Sequence, residues 1–163
     1  MSNSIPISKQ GFSKLKKELE ELKSQRPEIT QAIKEAREEG DLRENAGYDA
    51  AKERQGLLEA KITQIESRIP QFQVIDLDEM GGDKVAFGAT VEIMNTDTEE
   101  TKIYTILGAD ESDVSRGTIS VQAPLARALL GKEEGDEVEV NAPKGKMEYE
   151  IISVEYKGSK IYE

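Results

Sequence analysis

Two carboxylates, Asp41 and Glu44, stand three residues apart in the run Glu39-Gly40-Asp41-Leu42-Arg43-Glu44-Asn45-Ala46. The 163-residue chain has no histidine and no cysteine. That excludes a Ser-His triad, imidazole acid–base chemistry, a His- or thiolate-ligated metal and a disulfide framework. Any chemistry must rest on carboxylates, Lys, Tyr or an active site borrowed from a partner. The spacing has a second meaning, because Asp-x-x-Glu is also a capping box. Asp41 would be the N-cap and Glu44 would bond back to its amide. Asn45 either orients a neighbouring carboxylate or helps to start the helix that follows.

Two seams must position these acids. Apolar residues recur at Phe12, Leu15, Leu19, Leu22, Ile29, Ile33 and Ala36, with Arg26 at the one step that misses. A second seam runs Tyr48, Ala51, Gln55, Leu58, Ile62, Ile65, Ile69, Phe72, with Gln55 as its polar exception. The alternating three- and four-residue steps are those of a coiled coil. The seams mirror each other about residue 42: Phe12 matches Phe72, Leu19 matches Ile65, and Ala36 matches Tyr48. The spacing therefore predicts two antiparallel helices, each arm about 45 Å long at about 1.5 Å per residue. Ser8 suits the first N-cap, Gly40 suits a helix end, and Pro27 predicts a kink in the first arm. Asp41 and Glu44 then occupy the tip of a rod, near residues 40–46, where neither can be core.

The chain changes character near residue 77. Residues 1–76 hold 13 basic and 14 acidic side chains, whereas residues 77–163 hold 9 and 19. The acidic second half should repel phosphate backbones, so any nucleic acid contact belongs to the first half. Alternating runs predict strands at residues 90–94, 102–107, 118–121, 137–140 and 148–154, and Pro124 to Leu130 predicts one short helix. The fold class expected is α+β in two domains. Residues 1–76 form an N-terminal antiparallel coiled-coil hairpin, and residues 77–163 form a small antiparallel-sheet domain with one short helix. No stretch has the apolar length to span a bilayer, and Met1 to Gln10 has no apolar signal core. The expected location is the cytoplasm, with no membrane contact.

Two motifs raise a family resemblance. The run Ala36-Arg37-Glu38-Glu39-Gly40-Asp41-Leu42-Arg43-Glu44-Asn45-Ala46-Gly47-Tyr48-Asp49-Ala50-Ala51-Lys52 closely resembles the tip signature of the GreA/GreB transcript cleavage factors. The run from Ile119 to Gly131, continued by Gly135-Asp136-Glu137-Val138, is similar to the family's second signature. The resemblance covers nearly the whole chain, from Ile5-Pro6 to Tyr156. It implies that the second domain is FKBP-like and docks on bacterial RNA polymerase. The coiled coil would enter the polymerase's secondary channel, and the polymerase would be stimulated to cleave its own backtracked transcript. The chain would then act as a monomer and not as an enzyme on its own.

Under that resemblance Asp41 and Glu44 supply oxygen ligands to a shared Mg²⁺. Mg²⁺ takes octahedral oxygen ligands and keeps several waters, and two carboxylates alone would hold it weakly. The remaining ligands must come from the polymerase. Arg37 and Lys52 match family positions that face the nascent RNA 3′ end, and a phosphate chain could bridge them. The bland alternative is two solvated surface charges. Arg43 and Arg54 are weaker candidates. Gly47 departs from the family pattern, which often has an acid there, and Ala123 stands where Ser is common. An inhibitor of the same channel would share the fold but have altered tip acids. A prolyl isomerase would need a deep aromatic pocket, which the few aromatic residues after residue 77 do not suit.

Overall fold

A computed structural model describes residues 4–40 and 45–162 of the chain. The chain divides into two compact units. Ser13–Phe72 forms one, and Ser4–Phe12 joins Gln73–Glu163 in the other.

The first unit is built from helices α1 (Lys9–Ser24), α2 (Arg26–Glu38) and α3 (Ala46–Arg68). Its core is the seam expected from the spacing: Leu19, Ile29, Ile33, Ala51, Leu58 and Ile62 are buried together. Leu22, Tyr48, Ile65 and Ile69 pack around them. Burying one such aliphatic side chain is worth about 1.5–3 kcal/mol, so this line of contacts dominates the unit's stability. Pro27 does more than kink an unbroken helix. The first arm is two helices, with Gln25 between them and Pro27 in the first turn of α2. A missing amide costs little there, because first-turn amides have no intrahelical acceptor.

Arg26, the residue that interrupts the apolar pattern, crosses to the other arm. Its guanidinium donates to both Glu59 oxygens, at 2.9 and 2.8 Å, and these bonds hold the Glu59 carboxyl below its ordinary pKa. Lys23 lies 3.2 Å from Glu66, and Arg54 lies 3.6 Å from Glu28. Exposed pairs of this kind add little stability, but three of them between the same two arms favour one register over its neighbours.

The second unit pairs β1 (Ile5–Ser8) with β2 (Phe72–Ile75) in a two-stranded sheet. Its main sheet contains β3 (Thr90–Asn95), β4 (Thr101–Leu107), β5 (Thr118–Ser120), β6 (Glu137–Ala142) and β7 (Gly145–Glu155), in the order β5-β4-β3-β7-β6. The β3–β4, β3–β7 and β6–β7 pairs are antiparallel. The β4–β5 pair is parallel, so the antiparallel sheet expected from the sequence carries one parallel pair. A loop and a 3₁₀ turn at Val114–Arg116 return the chain so that β5 runs alongside β4. Helix α4 (Pro124–Leu129) contributes Ala126 and Leu129 to a core with Val91, Ile93, Ile106 and Ile151. Across β6 and β7, Glu137 faces Glu150 and Glu139 faces Glu148.

Ser8 explains why the N-terminal strand belongs to this unit. It caps α1, accepting from Gly11 N at 2.9 Å, and it is fully buried. Its hydroxyl donates to Glu111 Oε1, and its amide donates to Glu111 Oε2 at 2.9 Å. The Gly108 amide donates to the same oxygen at 3.0 Å. Tyr162 closes the cluster, with its hydroxyl 2.6 Å from Ser8 Oγ and 3.1 Å from Glu111 Oε1. One carboxylate thereby joins the first strand, the loop after β4 and the C-terminal turn. Hydrogen bonds to a charged acceptor are worth about 1.5–3 kcal/mol each.

Partial burial first, and then the Glu111 charge, push the Tyr162 hydroxyl up to about 12 from an ordinary 10.0. A raised folded-state value means that stability is fully present below pH 10 and is lost as pH rises through 12. The effect is modest because Tyr162 is 47% exposed. Tyr162→Phe should therefore lower the melting temperature at pH 7 while flattening the fall in stability between about pH 10 and 12. Thermal unfolding across that range checks this, and parallel alkaline curves for both proteins would refute it.

Candidate functional site

The tip is where α2 ends and α3 begins. Helix α2 stops at Glu38, and its last backbone bond runs from Glu39 N to Ala36 O. Gly40 follows with φ +142°, a conformation that side-chain-bearing residues rarely adopt. Asp41, Arg43 and Glu44 lie outside the described residues. Helix α3 starts at Ala46, and its N-cap is Asn45, whose Oδ1 accepts from Tyr48 N at 3.0 Å. Of the two readings of Asn45, the helix-starting one is therefore realised. The cap of α3 is Asn45, and the Asp41-x-x-Glu44 capping box lies outside the described residues.

Arg37 and Lys52 are brought together. Both line one shallow cleft of about 390 Å³ on the hairpin, with Thr30, Ile33, Lys34, Glu38 and Gln55. The Arg37 guanidinium lies over the Tyr48 ring, 5.8 Å from its centroid, which braces the cation from the opposite arm. Lys52 Nζ donates to Gln55 Oε1 at 3.2 Å. Gln55, the polar exception in the second seam, thus lies in the cleft as a partner of Lys52. Three cations and one acid face this opening, a balance that suits a phosphate better than a cation. Arg54, the weaker candidate, is engaged with Glu28 and does not line the cleft.

Lys34 was not singled out by the sequence, and Gln55 stood out only as the polar exception of its seam. The signal that could have found them is the register itself. Once Ala36 is set opposite Tyr48, positions 34 and 37 on one arm share a face with 52 and 55 on the other.

Among the described residues, no group of three or more His, Cys, Asp or Glu could hold a metal ion. Carboxylates are hard oxygen donors of the kind Mg²⁺ takes, and Asp41 and Glu44, expected to hold it, lie outside the described residues. No helix among the described residues is long and apolar enough to cross a membrane.

Comparison with known proteins matches residues 5–74 to the family model "Transcription elongation factor, N-terminal". Residues 80–156 match "Transcription elongation factor, GreA/GreB, C-term". The chain is 66% identical over 158 residues to a transcription elongation factor GreA of Nitratidesulfovibrio vulgaris strain Miyazaki F, covering 97% of this chain and 99% of that one. It is 65% identical to a GreA of Desulfovibrio desulfuricans, covering 96% and 97%. Among solved structures it is similar to the GreA factor homolog 1 of Thermus thermophilus, with 26% identity and a TM-score of 0.43 over 93% of this chain and 99% of that one.

Proposed function

The chain belongs to the GreA/GreB family of transcription elongation factors, and from that premise we propose that its hairpin enters the secondary channel of bacterial RNA polymerase and stimulates hydrolysis of backtracked RNA. The observation that carries this reading is the coincidence of full-length family similarity with a reversal that brackets two acids. The chain itself is not the catalyst. It is a donated part of a site whose remaining groups belong to the polymerase, and it works as a monomer.

Each residue has a task in this reading. Asp41 and Glu44 present carboxylate oxygens at the end of the rod, as ligands or as acceptors that orient a water. Bound there, Mg²⁺ would supply charge neutralisation and an oriented water for phosphodiester hydrolysis. Arg37, steadied by Tyr48, and Lys52, held by Gln55, take the phosphates of the extruded RNA 3′ end. The acidic second unit avoids nucleic acid and docks on protein at the channel rim. A channel blocker without cleavage activity is not favoured, because Asp41 and Glu44 are both retained and the relatives are elongation factors.

Two experiments test the assignment. Asp41→Asn and Glu44→Gln should each slow cleavage by a stalled, backtracked complex by about 100-fold, or roughly 2.7 kcal/mol, while polymerase binding and thermal unfolding change little. Higher Mg²⁺ should partly restore either single variant. Near-normal cleavage by the double variant would remove the acids from the chemistry.

The second experiment concerns the cleft. Combining Arg37→Glu with Lys52→Glu should cut crosslinking to the RNA 3′ end about tenfold and make what remains less sensitive to salt. Far-UV circular dichroism should remain unchanged, because both side chains are exposed. Undiminished crosslinking would return both residues to the status of solvated charges.

A further inference from the structure

Asn45 makes two hydrogen bonds that point in opposite directions along the hairpin. Its Oδ1 accepts from Tyr48 N in the first turn of α3. Its Nδ2 donates to Ala36 O in the last turn of α2, at 2.5 Å. First-turn amides and last-turn carbonyls are the backbone groups that a helix cannot satisfy internally. One primary amide supplies an acceptor to a first-turn N–H and a second donor to Ala36 O, which also accepts from Glu39 N at 3.3 Å. Turning it over would set carbonyl against carbonyl and N–H against N–H, so a single orientation serves.

Two neighbours fit this arrangement. A Cβ at Gly47 would lie 3.3 Å from Asn45 Oδ1, so the bare glycine leaves room for the amide at the cost of a weaker helix start. Arg37, next to Ala36, lies over the ring of Tyr48, the residue whose amide Asn45 caps, and so spans the same two helices. The bridged groups, Ala36 O and Tyr48 N, enclose the segment that contains Asp41 and Glu44.

We propose that Asn45 is a positioning residue for transcript cleavage: its amide ties the end of α2 to the start of α3 and sets the spread from which Asp41 and Glu44 are presented. It acts through the backbone and touches no reacting atom. The proposal rests on the assignment of those two acids to the cleavage site. It goes beyond capping, because capping uses only Oδ1.

Asn45→Ser separates the two roles. Serine caps a helix about as well as asparagine, but it is too short to donate to Ala36 O and still cap. The chain has no cysteine, so cysteines placed at the exposed Glu35 and Asp49 would carry the only pair of spin labels. In the Asn45→Ser protein the interspin distance distribution should broaden, while melting temperature and polymerase affinity stay at their original values. The maximal cleavage rate at saturating Mg²⁺ should fall about tenfold, the scale expected when a reacting group is displaced by a fraction of an ångström.

An unchanged distance distribution would overturn the bridge. A normal cleavage rate with a broadened distribution would overturn the positioning role. A drop in melting temperature that accounts for the lost rate would reduce Asn45 to a cap and also overturn it. Failure of the underlying reading appears elsewhere, as normal cleavage by the Asp41→Asn/Glu44→Gln protein.

Discussion

Ile62 is completely buried, although the hairpin has only two arms with which to bury it. That is the constraint on the first unit. An antiparallel pair has a single line of burial, with no second layer to absorb an error. Sliding one arm by a turn would place Ile62, Leu58 and Ile33 opposite the wrong gaps and cost several side chains' worth of hydrophobic stabilisation. Register, once set by these aliphatic residues, decides what else can meet. It brings Arg26 to Glu59, Arg37 to Tyr48, and the Ala36 carbonyl to the Asn45 amide. The polar contacts near the tip are therefore consequences of apolar residues well below it.

Much of this was legible because helical periodicity is a local signal that sums over many residues. The mirror symmetry of the two seams about residue 42 was enough to fold the hairpin on paper. Arg26 looked like a flaw in one seam, because its partner lies on the other arm and the pattern treats each arm alone. Pro27 announced a disturbance, but whether a helix bends or restarts depends on the turn at Gln25 and on packing. The main strands were readable from alternation. The parallel placement of β5 was not, since direction is set by how a loop crosses the sheet and not by strand composition. The Ser8–Glu111–Tyr162 cluster was equally out of reach, because its members are far apart in the chain and only the fold brings them together.

The candidate site divides in the same way. Asp41 and Glu44 were proposed from residue type and from lying at the point of symmetry of the two seams in the sequence. Arg37 and Lys52 stood out only through family resemblance, as any exposed helix has such cations. Lys34, Gln55 and Tyr48 join them in the structure through the inter-arm register. Asn45 was visible as a possible helix starter, but its second hydrogen bond crosses to a backbone carbonyl, which no side-chain pattern encodes. Backbone acceptors are the same at every position in a sequence, so bonds to them become specific only in three dimensions.

The interruption at Gln25 gives the two arms different mechanics. On one side of the rod α3 runs for 23 residues without a break, and on the other α1 and α2 meet end to end. Bending stiffness in a helix comes from its continuous ladder of hydrogen bonds. The continuous arm is thus a spar, and the jointed arm is a splice laid along it. The splice lies beside the Arg26–Glu59 fork, which clamps the joint to the spar at the point where it would otherwise open. The two arms thus differ in continuity: one is a single ladder of backbone hydrogen bonds, and the other is two ladders joined at Gln25.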